Sequence, residues 1–138
     1  MGKYQRNKYL DDLGLDIKNY GTNFVDELKD DRKEKWKEQR KKYGFDEREI
    51  WNLDTIFVEW LYSHLMMYKE KASQIIDLSY HKVEWENKEI TSEDAIDKII
   101  NIAKEVLIAE NYDKREVKYN TFCKYMELYA KILPSLWY

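Results

Sequence analysis

The chain has 138 residues, 43% hydrophobic, 15% aromatic and 37% charged, with a net charge of −3, one Cys, one Pro and four Gly. That length fits a single domain spanning residues 1–138, and so few turn breakers beside so much charge point to helices. Negative net charge disfavours nucleic-acid binding by bulk electrostatics, a lone Cys excludes an internal disulfide and suits a reducing cytoplasm, and no apolar run reaches the roughly 18 residues of a membrane span.

Residues 1–21 carry scattered apolar anchors (Tyr4, Tyr9, Leu10, Leu13, Leu15, Ile17, Tyr20), and Gly14 and Gly21 interrupt any long helix. The expectation is an N-terminal arm with one helical turn. Thr22 or Asn23 then caps a helix over about 23–43 that starts on Phe24, Val25 and Leu28. Over 29–42 eight Lys/Arg oppose four Asp/Glu, and Trp36 is the only large apolar side chain. Asp31–Lys35 and Glu38–Lys42 have favourable i,i+4 spacing. A solvated, projecting helix is the expectation, and its functional reading is a basic patch in which Trp36, Lys37, Arg40 and Lys41 meet phosphate or an acidic protein.

Gly44 suits the left-handed position that closes a helix. Asp46 can cap a short second helix, with Glu49 completing a capping box. Asp54 is a suitable N-cap for the next helix, Thr55–Lys71. Two caps so close imply a sharp corner, with Phe45, Ile50 and Trp51 tucked beneath it and Arg48 paired to Glu49, Asp54 or Glu59. The helix after Asp54 places Phe57, Trp60, Leu61, His64, Leu65 and Tyr68 on one face. Val58, Tyr62, Met66 and Met67 widen that face almost to a full circle. Such a helix belongs at the centre of a bundle.

Residues 81–91 read either as a small hairpin turning at Asn87-Lys88 or as an extended loop, with Val83 and Trp85 packing inward. Thr91-Ser92-Glu93-Asp94 is a clear helix start. Ala95, Ile96, Ile99, Ile100, Ala103, Val106 and Leu107 then form one apolar face of a helix over about 92–110. A last helix over about 114–133 buries Val117, Phe122, Tyr125, Met126, Tyr129, Ile132 and Leu133, and Pro134 stops it. The tail Leu136-Trp137-Tyr138 either folds back on the core or serves an oligomer contact. The predicted class is mainly α: a compact bundle of four to five helices with a hairpin or loop at 81–91.

Little in the chain points to catalysis. There is no HExxH, P-loop or GxGxxG, and no paired Cys or Asp-rich loop for a metal. Cys123 sits among Phe122, Tyr125 and Met126 and reads as a buried, inert thiol. The expectation is a non-enzyme without cofactor or metal. The chemically unusual spot is the corner, where Arg48, Trp51 and Trp60, flanked by Tyr43, Asp54 and His64, can offer a planar cation and ring faces to a flat anionic ligand.

At Tyr43-Gly44-Phe45, Arg48-Glu49, Trp51-x-Leu53-Asp54 and Trp60-Leu61, over roughly residues 43–70, the chain resembles small bacteriophage and prophage proteins with a Gly-Phe-x-x-Arg-Glu-x-Trp-x-Leu-Asp corner. The resemblance implies a genomic setting and no mechanism. In that setting the leading expectation is a homo-oligomeric, cytoplasmic binding protein that counters host defence by sequestering a small nucleotide signal. The alternatives are a protein–protein inhibitor or scaffold that contacts a host defence protein through helix 29–42, and a nucleic-acid accessory protein.

Overall fold

The computed structural model describes residues 6–16, 19–21 and 31–138. The expected cap at Thr22 or Asn23 and the apolar start at Phe24, Val25 and Leu28 lie outside the described residues, as do Tyr4 and Ile17. Among the described residues the fold is mainly α, with six α-helices and one antiparallel hairpin. The helices are α1 (Lys8–Asp12), α2 (Lys33–Tyr43), α3 (Arg48–Trp51), α4 (Leu53–Ala72), α5 (Ser92–Leu107) and α6 (Tyr112–Ile132); β1 (Lys82–Trp85) and β2 (Lys88–Thr91) form the hairpin. Length alone suggests one domain, whereas the chain divides into two compact units, residues 1–59 and 60–138. The boundary falls inside α4.

In the first unit, the Asn7 side chain accepts the N–H groups of Tyr9 and Leu10 and so starts α1. Tyr20 is buried; its hydroxyl donates to the Asp11 carboxylate and accepts the Asn7 N–H. That hydrogen bond, with Arg6 close by, holds Asp11 below the usual carboxylate range. The arm reaches α4 at Gly21, whose N–H donates to Glu59 Oε2 at 3.0 Å. A β-carbon at Gly21 would stand 2.9 Å from Ile56 Cδ1, 3.2 Å from Thr55 Cγ2 and 3.3 Å from Glu59 Oε1.

Helix α2 does not project into solvent as expected: Trp36 is fully buried. Lys35 pairs with Glu47 at 2.9 Å rather than with Asp31, and Lys42 lies over the Tyr43 ring. Gly44 closes α2 as read from the sequence, with φ +86° and its N–H on the Arg40 carbonyl.

Helix α4 begins at Leu53, so Asp54 lies in its first turn, where a carboxylate suits the positive helix end, and is not the cap. The expected all-round burial is also corrected. Thr55, Val58, Leu61, Tyr62, Leu65 and Ala72 are buried, while Leu53, Phe57, Trp60, His64, Met67 and Lys71 are exposed. The exposed set recurs every three or four residues, so it forms one row along the helix. The row expected as the central buried face, through Phe57, Trp60 and His64, is the wet one.

In the second unit the hairpin is real. Glu86 and Asn87, at φ +51° and +64°, make a two-residue turn in the left-handed region that matches strand twist. Val83 pairs with Ile90 and Trp85 with Lys88. Trp85 is buried, edge-on to Tyr125 of α6, and Lys131 Nζ donates to the Glu84 carbonyl at 2.6 Å. An isolated hairpin is marginal, and these contacts fasten it to α6.

Thr91 caps α5 through the Asp94 N–H, as expected. Ala95, Ile96, Ile99, Ile102, Ala103 and Val106 form its buried face. Asn111 is the N-cap of α6, its side chain accepting the Lys114 N–H at 2.9 Å. Of the face expected on α6, Phe122 and Ile132 are buried, but Val117 and Leu133 are exposed and Leu128, unassigned from sequence, is fully buried. Cys123 is exposed rather than buried. The tail folds back within this unit: the Tyr68 hydroxyl donates to the Trp137 carbonyl at 3.2 Å, and Tyr68 meets Tyr138 edge-on.

Leu128→Ala should cost about 2–5 kcal/mol, whereas Val117→Ala should stay within about 0.5 kcal/mol of the parent. Urea titration of both variants checks this, and equal losses would place the α6 core face wrongly.

Candidate functional site at the α2–α3 corner

The corner is held by a buried ion pair. Asp46 and Arg48 are both about 1% exposed. Asp46 Oδ1 accepts the Arg48 backbone N–H and Nε, each at 3.0 Å. Asp46 Oδ2 accepts Arg48 Nη2 at 2.8 Å and Arg40 Nη1 at 2.6 Å. Asp46 therefore caps the entry to α3 through its side chain, one residue outside the position expected for a cap, and it rather than Glu49, Asp54 or Glu59 is the carboxylate seen pairing with Arg48. Burial alone raises the pKa of Asp46. The Arg48 side-chain and backbone hydrogen bonds, the Arg40 hydrogen bond and the Arg48 charge outweigh it and hold the carboxyl below its ordinary value.

Arg48 also lies over the Trp36 ring, 4.4 Å from its centroid. Trp36 meets Trp51 edge-on at 5.8 Å. Arg32 lies over both indoles, 5.0 Å from the centroid of Trp36 and 5.1 Å from that of Trp51. Arg–aromatic layers of this kind are worth about 0.5–2 kcal/mol each. Glu47 accepts from Lys35 and from Gln39, and its backbone N–H returns to Gln39. The charges of α2 that face the corner thus hold the start of α3 in place.

The apolar residues of the corner are expected beneath it. Instead Phe45, Ile50 and Trp51 are exposed, with Ile50 at 58%, and so are Tyr43 and Leu53. The buried volume is taken by Trp36 and the Asp46–Arg48 pair, which leaves the neighbouring apolar groups facing outward. Along α2, Lys33, Lys37 and Lys41 share one row and make no ion pair among the described residues.

Of the residues expected to bind a ligand, Arg48 and Trp51 come together with Trp36, but Arg48 is closed off by Asp46. Trp60 and His64 stack on each other at 4.2 Å in the second unit. Tyr43 and Asp54 are exposed. Of the residues expected to meet a partner, Trp36 is buried, Arg40 is held by Asp46, and Lys37 and Lys41 are exposed. Sequence reasoning misses Asp46 as the hub and Arg32 as the cation between two indoles. The only available signal is Arg32 one turn before Trp36. No group of three or more His, Cys, Asp or Glu suited to a metal occurs among the described residues. Comparison with protein families, with curated proteins and with solved structures finds no match.

Asp46→Asn should cost about 3–5 kcal/mol, because the buried Arg48 loses the carboxylate charge on its Nε and Nη2. The pH dependence follows from the depressed pKa. The contribution is intact above the unfolded-state value of about 4 and is lost as pH falls through the lower folded-state value. Denaturant midpoints between about pH 6 and 2 should fall for the parent and flatten for Asp46→Asn; parallel curves would remove Asp46 from the acid response.

Proposed function

We propose that this chain is a non-enzymatic, phage-type binding protein that counters host defence by docking a host protein at the α2–α3 corner. The supporting observation is the exposure of Tyr43, Phe45, Ile50, Trp51 and Leu53 around a corner whose backbone is fixed by Asp46 and Arg48. Rigid, exposed aromatic and aliphatic side chains are what the centre of a protein interface requires, since they bury area with little ordering cost. The exposed row Lys33, Lys37 and Lys41 adds a positive margin that favours an acidic partner. The phage setting rests on the resemblance over residues 43–70.

Sequestration of a nucleotide signal is less well supported. It needs the Arg48 guanidinium, and that group is engaged with Asp46 in the interior. A ligand phosphate would have to displace a carboxylate that already has excellent geometry. The non-enzymatic reading draws on the same fact: the buried Asp46 and Arg48 are engaged with each other.

The test is the affinity for a protein captured from host lysate. The pair Ile50→Asp and Trp51→Ser should weaken binding at least about tenfold. Reversal of Lys33, Lys37 and Lys41 to Glu should slow association and reduce its salt dependence. Undiminished binding by the Ile50/Trp51 variant would sink the corner as the docking site. Calorimetry with cyclic and ADP-ribose-derived nucleotides should give no heat; heat that disappears in Arg48→Met would restore the nucleotide reading.

A further inference from the structure

The second unit carries an open aromatic row of its own. Trp60 is 48% and Met67 51% exposed, and His64 and Lys71 on the same row of α4 are exposed. The spacing 60-64-67-71 is the four-three-four alternation of a coiled-coil seam, and it spans about 16 Å. His64 Nδ1 lies 2.7 Å from the Trp60 carbonyl, which can only accept, so Nδ1 donates and the imidazole is held flat on the indole. Beside this row, the tail anchored on Tyr68 leaves Trp137 69% and Tyr138 55% exposed.

We infer that this row is the contact between two copies of the chain, packed antiparallel about a two-fold axis between Leu65 and Met66. The observation that selects this occupant is the distribution of charge along the row. Within this unit its charged residue is one cation, Lys71, at one end, with Glu70 Oε1 3.9 Å from its Nζ, and a large π face, Trp60, stands at the other. Antiparallel packing sets Lys71 of each copy on Trp60 of the other, a cation–π contact made twice. It also sets His64 against Met67, a polarisable thioether on an aromatic edge. Parallel packing would instead place Lys71 on Lys71. A two-fold contact repeats every favourable pair and closes on itself. Antiparallel helix dipoles add to the preference.

Half of a large side chain is roughly 100 Å². Trp60, His64, Met67, Trp137 and Tyr138 together therefore approach the about 600 Å² per copy of the smallest specific interfaces. The expected association is accordingly a reversible one in the micromolar range.

Sedimentation velocity of the full chain from about 10 µM to 1 mM reads the equilibrium directly. The parent should pass from monomer to dimer across that range. Trp60→Lys, which faces Lys71 of the second copy with a like charge, should weaken the dimer at least about tenfold. Met67→Lys, in the other layer, should do the same. The double variant Trp60→Lys with Lys71→Glu should regain association, because the lysine introduced at position 60 of each copy then meets the glutamate introduced at position 71 of the other; a parallel pair would gain nothing. All three positions are exposed, so helical circular dichroism should be unchanged. A parent that stays monomeric to 1 mM, single variants that dimerise like the parent, or a double variant that is not rescued would each overturn the inference.

Discussion

A carboxylate taken out of water must find donors for its oxygens, and Asp46 finds four: the Arg48 backbone N–H, two nitrogens of the Arg48 guanidinium and one of Arg40. This cluster turns the chain from α2 into α3. It fixes Arg40 of one helix and the first residue of the next to a single group, and it sets Arg48 over Trp36, so that an indole closes the volume from the other side. Losing the Arg48 guanidinium would leave the buried carboxylate without its main counter-charge in a medium that solvates it poorly. The left-handed closure at Gly44 makes the turn sterically easy, and the ion pair makes it unique.

Once the interior of the corner is filled by a charged pair and one Trp, there is no room inside for Phe45, Ile50 and the outer part of Trp51. Their exposure is a consequence of what was buried first. The same logic holds along α4, which is apolar on more sides than its neighbours cover. Its covered rows run through Val58, Leu61, Tyr62 and Leu65, and its uncovered row runs through Phe57, Trp60, His64 and Met67. A helix apolar nearly all round is ordinarily one that is surrounded. In this chain the surplus is displayed, and that display is the observation on which the proposed contacts rest.

Elements governed by local chemistry are legible in the sequence. The Thr91 cap, the amphipathic face of α5, the stop at Gly44 and the presence of a hairpin at 81–91 all follow from residues a few positions apart, although its turn lies at Glu86-Asn87, one residue before the Asn87-Lys88 read from sequence. Features set by partners distant in space are not. Periodicity reports that α4 has apolar rows but not which row meets the rest of the fold, so the pattern alone puts Trp60 inside. Arg48 has several carboxylates within sequence reach, and only the backbone path through α3 brings Asp46 to both its Nε and Nη2. Cys123 sits among apolar neighbours on α6 and Val117 falls at the helical spacing of the expected face, yet both face outward, because the buried row of that helix runs through Phe122, Leu128 and Ile132.

Gly21 bears on how freely this chain can vary over generations. Its backbone is pressed against Thr55, Ile56 and Glu59 so closely that even a methyl group would have to push them aside. The constraint is one of volume at a point of closure, unlike that at Gly44, where the backbone angle itself demands glycine. Drift at position 21 is therefore coupled to the side chains around it: the first atom met is the flexible end of Ile56, followed by Thr55 and Glu59, so lineages in which these can give way keep a closed arm at least cost.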